Sequence, residues 1–286
     1  MTTVCVILNY NDSKTTISLL SNIQHFQELD YIVIVDNKST DDSYEQLKQY
    51  SNEKVHVILT ERNGGYGYGN NFGIWYSYNQ LGATEVLIAN PDIIFSAECV
   101  KALKTALFEN KDCAIIAPVM INELGKRDLL IAWKIPTMVQ DILWASTTIN
   151  KLFGSKMLYP SEYFEGKDSC FVDVVPGSLL MVNTKIMIDI GMYDEEFFLY
   201  GEEKLLGYKL KQKGYKILLL LNQRYIHKKS ASINKSFNLI AKHKLFLESK
   251  LLFLKKYYNV TGVRLLMIKM FFKLTLLEIY IISLFK

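Results

Sequence analysis

Val86-Leu87-Ile88-Ala89 is a continuous apolar run, followed at once by Asn90-Pro91-Asp92. A run of this kind fits a strand covered on both faces. Pro91 has no backbone donor, so the ladder must stop there. The chain therefore needs a sheet with layers on both sides. Asn90 and Asp92 stand at the carboxyl end of a central strand, where open α/β sheets bind their ligands. A carboxylate beside an amide oxygen suits a hard cation, Mg2+ or Mn2+, bound together with substrate phosphates. A strand end followed by an Asp-containing turn needs no ligand, so the rest of the chain has to decide.

The flanking segments repeat the theme. Val4–Leu8, Tyr31–Val35 and Val55–Leu59 are short apolar runs, the first two ending in Asn9-Tyr10 and Asp36-Asn37. Between them, residues 14–24 have helical spacing after Asp12 or Ser13, and Ser39 or Thr40 can cap a helix to about Tyr50. Strand and helix alternating through short links predict an α/β parallel sheet. Further on, Ser96 caps a helix to about Asn110, Ala114–Ala117 is a strand stopped by Pro118, and Thr184 caps a short helix. The apolar runs Phe171–Val175, Leu179–Val182 and Tyr215–Leu221 are further strands, and Leu205–Lys213 is helical and closed by Gly214.

Four glycines fall within Gly64–Gly69, which predicts a loop where backbone can approach a ligand, opening a helix at about Asn70. Neither a dinucleotide fingerprint nor a P-loop fits, and a solvent loop satisfies the same residues. Residues 122–168 carry no clean period and read either as a lid or as an excursion whose aromatics pack on the core. Glu202 and Glu203 precede a helix. They suit its dipole as they stand, and one of them could act as a general base. His227 follows the last strand, either as a packed residue or as a third metal ligand.

At 286 residues and 50% hydrophobic the chain can bury a full core. Cys5, Cys99, Cys113 and Cys170 are scattered, which argues for reduced thiols over a disulfide framework or a zinc site. The N-terminus reads directly into a strand, so no signal peptide is expected.

Taken together, the segments resemble the family 2 glycosyltransferases of the GT-A fold, in particular the bacterial rhamnosyltransferase-like branch. The resemblance covers about Thr3 to Ser232. It rests on VCVILNYN at Val4–Asn11, VDNKSTDDS at Val35–Ser43, NGGYGYGNNFGI at Asn63–Ile74 and NPD at Asn90–Asp92. VPGSLLMV at Val175–Val182, GMYDEEFFLYGEE at Gly191–Glu203, KLKQKGYKI at Lys209–Ile217 and YIH at Tyr225–His227 continue it. It implies a Rossmann-like, mostly parallel sheet flanked by helices, with residues 1–232 as the catalytic domain and 233–286 as a helical appendage.

The resemblance also implies roles. Asp36 would read the nucleotide base and Asn63 and Asn71 would contact the sugar nucleotide, with Asn9, Tyr10, Gly64, Gly69, Asn90 and Gly177 completing that surface. Asp92 would hold the metal, joined by His227. Glu203 stands where the family has its catalytic base, with Glu202 as the alternative. Asn90, Glu203 and Leu205 depart from the family pattern at positions that usually carry Asp. The implied reaction is inverting transfer of a sugar, rhamnose from dTDP-rhamnose as the leading donor, to a lipid-linked saccharide in surface polysaccharide synthesis. A UDP-hexose or UDP-galactofuranose donor is the alternative, and a non-catalytic nucleotide-binding or scaffolding subunit lies outside the enzyme class.

From residue 226 onward there are 12 Lys and Arg against 2 Asp and Glu, whereas the remainder is net acidic. Residues 237–258 and 263–285 are apolar and basic. Lys269, Lys273 and Glu278 argue against spanning a bilayer, and an amphipathic helix on anionic lipid fits better. Packing on the core or in a homodimer is the competing reading. The leucine content argues against nucleic acid. The expected location is cytoplasmic, peripheral on the inner face of the membrane.

Overall fold

The computed structural model describes residues 1–127, 130–153, 157–228 and 239–284. The expected domain boundary at 232/233 and the expected first and last helical residues of the C-terminal segment, Phe237 and Phe285, lie outside these.

Alternating strands and helices build most of the chain. β1 (Thr3–Asn9), β2 (Tyr31–Asp36), β3 (Val55–Leu59) and β4 (Glu85–Ala89) are separated by α1 (Ser13–Ile23), α2 (Ser43–Lys48) and α3 (Gly65–Leu81). Then follow β5 (Ile93–Ile94), α4 (Ala97–Glu109), β6 (Cys113–Ile121), α5 (Met138–Leu143) and α6 (Thr147–Phe153). β7 (Ser169–Val172), β8 (Leu179–Asn183), α7 (Thr184–Asp189), α8 (Glu202–Gln212) and β9 (Lys216–His227) complete the sheet region. Two long helices, α9 (Leu239–Tyr257) and α10 (Gly262–Leu284), end the chain.

The described strands form one sheet in the order β3-β2-β1-β4-β8-β6-β9-β5, with β7 also paired to β9. β1 to β4 pair in parallel, and β6 pairs in parallel with β9; β8 is inserted antiparallel between β4 and β6. Both faces are covered, as the apolar runs require. Val4, Val6, Val33, Val35, Val86 and Ile88 point into one core, whereas Cys5, Ile7, Ile32, Ile34, Leu87 and Ala89 point into the other. The four cysteines are free and buried.

Three expectations change. The glycine-rich stretch is not a loop: α3 already starts at Gly65, with Gly64 as its N-cap. A Cβ on Gly69 would lie 2.3 Å from Leu8 Cδ1, and one on Gly73 would lie 2.5 Å from Val6 Cγ1. These glycines bring α3 down onto β1, and Gly65 (φ 88°) packs against the Phe198 carbonyl. Next, β6 does not stop at Pro118. Its pairing with β8 ends at Ile116 and its register with β9 breaks between Pro118 and Val119, so the missing donor falls at an irregularity. Finally, the last strand and the YIH segment are one strand, β9, long enough to carry His227 past the sheet to β5.

The C-terminal helices pack on the rest of the chain. Leu247, Leu254, Ile268 and Phe272 form a core with Ala145, and Phe253 packs against Phe197 and Leu205. The 122–168 region supplies α5, whose start is a full capping box between Thr137 and Gln140.

Candidate active site

The β1–β2 register sets Asn9 beside Asp36. Asn9 Nδ2 donates to Asp36 Oδ2 at 2.8 Å, and Ser39 donates to the same carboxylate from Oγ (2.7 Å) and from its backbone N–H (2.8 Å). Asp36 is 0% exposed. It holds the 37–40 turn against the end of β1, where Asn11 Oδ1 accepts from Thr40 N at 2.8 Å. Asn11 and Lys38 adopt positive φ, so both strands end in tight, pre-set turns.

Asn37 links this corner to the next. Its Nδ2 donates to Asn63 Oδ1 (3.1 Å) and to the Gly65 carbonyl (3.0 Å), and Asn63 Oδ1 also accepts from Gly65 N (3.1 Å). Asn63 and Asn90 are half-buried, and Tyr10 is exposed. Asn71 is committed elsewhere. Its Nδ2 donates to the Tyr193 carbonyl and Glu195 Oε1, both at 2.9 Å, and its Oδ1 accepts from Tyr193 N at 3.0 Å. It therefore clamps the 193–195 loop to α3. Gly69, inside α3 against Leu8, likewise serves packing.

Beyond Ala89 the chain turns at Pro91 and re-enters as β5. Because Ile93 pairs with His227, Asp92 and His227 meet, with Oδ2 and Nε2 3.1 Å apart. The Lys228 N–H donates to the Asp92 carbonyl at 2.9 Å and fixes the approach. The Asp92 side chain is 11% exposed and that of His227 29%. Among the described residues no group of three or more His, Cys, Asp or Glu converges as a metal site. Asp92 and His227 fit as half of one, an oxygen and a nitrogen donor whose remaining partners would be phosphate oxygens and water.

The loop before β8 joins this corner to the glutamates. Asn90 N donates to the Ser178 carbonyl at 2.8 Å, and Ser178 Oγ meets Tyr225 Oη at 2.6 Å. One residue earlier, Gly177 packs against the Glu203 side chain, and its carbonyl accepts from Tyr66 Oη at 2.8 Å. A Cβ on Gly177 would come within 3.2 Å of Glu203 Oε1. Tyr200 (φ 73°) and Gly201 (φ 90°) are both left-handed, and this reversal points the first turn of α8 at that loop.

The two glutamates differ. Glu202 is 6% exposed, and its Oε1 has no hydrogen-bond partner. Burial, with Glu203 beside it, pushes its carboxyl up to about 8. Glu203 is partly exposed. Burial raises it as well, opposed by N–H groups including that of Gly177. Behind them lies a group that the sequence reading missed. Asp141 of α5, 1% exposed, accepts from Lys204 Nζ (2.8 Å) and from Lys250 Nζ of α9 (2.6 Å). Burial alone would raise the Asp141 carboxyl; the two lysines outweigh it and hold it below the usual range. Tyr66 was also missed, hidden between glycines. A separate open cavity of about 400 Å³ is lined by Asn71, Tyr193, Asp194, Lys209, Lys256 and Tyr257, away from Asp92 and Glu203.

The sheet order and the polar groups gathered at the strand ends define a GT-A fold. A mannosyltransferase from Pyrobaculum calidifontis, solved with GDP-Man and Mn2+, superposes with a TM-score of 0.59 at 10% identity, covering 91% of this chain and 65% of that one. Residues 4–165, more than half of the chain, match the family described as Glycosyl transferase family 2. The chain belongs to that family. It is 31% identical over 215 residues to the low-salt glycan biosynthesis hexosyltransferase Agl10 of Haloferax volcanii, covering 74% of this chain. It is 25% identical over 230 residues to an N-acetylglucosaminyl-diphospho-decaprenol L-rhamnosyltransferase of Mycobacterium tuberculosis, covering 74% of this chain and 72% of that one. The chain spans 62% of the length of the Haloferax relative.

Proposed function

We propose that the protein transfers a sugar from a nucleoside diphosphate to an acceptor hydroxyl with inversion, with Glu203 as the base. The observation that carries this reading is the Gly177–Ser178 loop. It packs against Glu203 on one side and accepts from the N–H of Asn90, two residues from Asp92, on the other.

Glu203 is the better base of the pair because it is partly exposed, whereas Glu202 is enclosed and keeps its proton at neutral pH. Glu203 accepts the acceptor's hydroxyl proton as that oxygen attacks the anomeric carbon and the diphosphate departs from the opposite face. Burial raises its proton affinity, which suits a base, and close packing against Gly177 restricts where the carboxylate can point. Asp92 and His227 would hold Mg2+ or Mn2+, which when bound offsets charge on the leaving diphosphate. Asn63 and Tyr10, with the turns pinned by Asp36 and Asn37, would line the nucleotide side.

The donor reading is rhamnose from dTDP-rhamnose and the acceptor a lipid-linked saccharide, in line with the name of the mycobacterial relative. A different hexose donor is the second reading, favoured by the higher identity to the Haloferax hexosyltransferase.

The test is a thermal-shift panel of dTDP-rhamnose, UDP-glucose, UDP-galactose, UDP-galactofuranose and GDP-mannose, with and without Mn2+, followed by turnover of the best donor. One donor should stabilise the fold by mass action. Glu203→Gln should keep that stabilisation and lose roughly 10²–10⁴-fold in turnover. Wild-type turnover in Glu203→Gln removes it as the base. A folded protein stabilised by no donor points instead to a scaffolding subunit.

A further inference from the structure

The two sides of α10 are both apolar, and only one is covered. Ile268, Phe272, Thr275 and Ile279 are buried against α9 and the α5–α6 region. The opposite side, from Val263 to Leu284, is open. Leu266, Met267, Met270, Leu274, Leu277 and Ile281 are 48–65% exposed. At 100° per residue these six fall in one stripe along a helix of 23 residues, on the order of 35 Å long. An open apolar stripe of that length marks an interaction surface.

The charges say what covers it. Lys269 and Lys273 flank the stripe on one side and Arg264 on the other, and all three are exposed. Glu278 is the one acid in α10. It is partly buried and engaged by α6, where the Thr148 N–H and Oγ each donate to its Oε1 at 2.6 Å. The exposed charges of α10 are therefore all positive, its one acid being held by Thr148. A second copy docked face to face would bring these cations together with no outward acid to meet them. None of the described helices is long and apolar enough to cross a membrane.

We propose that the exposed face of α10 is a docking surface for an anionic lipid bilayer, with the helix lying in the interface plane. The apolar stripe enters the acyl boundary while Lys269, Lys273 and Arg264 reach the headgroups. α9, bonded to Asp141 through Lys250 and to the Leu199 carbonyl through Ser249, ties this surface to the segment that leads into α8. The proposal goes beyond the transfer reaction and stands or falls separately from it.

The test is co-sedimentation of the full chain with vesicles of phosphatidylcholine alone or mixed with phosphatidylglycerol, at low and high salt. The wild type should pellet with the anionic vesicles and be released by salt. Lys269→Gln/Lys273→Gln should lower partitioning roughly 20- to 30-fold, at about fivefold per cation. Leu274→Glu/Leu277→Glu should abolish it, with an unchanged circular dichroism spectrum and unchanged nucleotide-sugar stabilisation. Failure to pellet, or equal binding to neutral vesicles, overturns the proposal. So does self-association in lipid-free sedimentation velocity that Leu274→Glu/Leu277→Glu disperses, which would assign the face to a second copy. Loss of donor binding in the wild type would count against the transfer reaction and leave this surface untouched.

Discussion

Glu202 stores a cost in the fold. In the unfolded chain its carboxyl ionises in the ordinary range; in the native state burial and Glu203 hold it protonated up to about pH 8. The native state therefore binds the proton more tightly than the unfolded one between about 4.5 and 8. Stability allowed by the neutral acid is present at the low end of that window and lost as pH rises through it. Glu202→Gln, neutral and of the same shape, removes this dependence. Urea unfolding should find the variant gaining on wild type by roughly 2 kcal/mol or more between pH 5 and pH 9. A difference that stays constant with pH would mean Glu202 is not buried as a neutral acid. Asp36 works at the same scale: Asn9 and Ser39 donate to its carboxylate and pin the turn that follows β2.

Among the elements, α3 depends most on its glycines. Gly73 faces Val6 and Val35, two β-branched side chains on adjacent strands with little rotamer freedom. A Cβ there would sit 2.5 Å and 2.9 Å from their methyl groups. Gly73→Ala should therefore cost about 1–3 kcal/mol by overpacking, despite alanine's better helix propensity. Gly82→Ala, at the left-handed C-cap of the same helix, meets no atom within 4 Å and should cost about 1–2 kcal/mol from its φ of 64° alone. The two act differently: the first should shift α3 on the sheet, visible as changed amide signals in β1 and β2, whereas the second should perturb only the helix end. Changes confined to the helix end in both variants would refute close packing at Gly73.

At the scale of the whole molecule, the C-terminal helices belong to the frame of the site. Asp141 joins α5, α8 and α9 through Lys204 and Lys250, and Asp194 is held by Lys256 at 2.7 Å and Tyr257 at 2.7 Å. Removing one partner from a buried ionic group leaves uncompensated charge, which typically costs about 3–5 kcal/mol. Asp141→Asn should lower stability by about that amount in chemical denaturation and slow turnover through misplacement of Glu203. Lys250→Met should cost less, because the Asp141–Lys204 pair remains. Equal, small effects from both would show that the three helices are held by their apolar contacts alone.

Outside β5 and residues 122–168, the order of strands and helices, both buried faces of the sheet and the polar tips at Asn9, Asp36 and Asp92 were legible in the chain, because apolar runs, proline and capping residues act locally. The Asp92–His227 meeting was legible only through the family resemblance. It depends on β5 pairing with β9 across 135 residues. Which glutamate keeps its proton, the use of the glycines for packing, and the Asp141 network were decided by tertiary structure alone. Desolvation, close approach and ion pairing are set by what the fold brings alongside a residue, and neighbours in sequence do not carry that information.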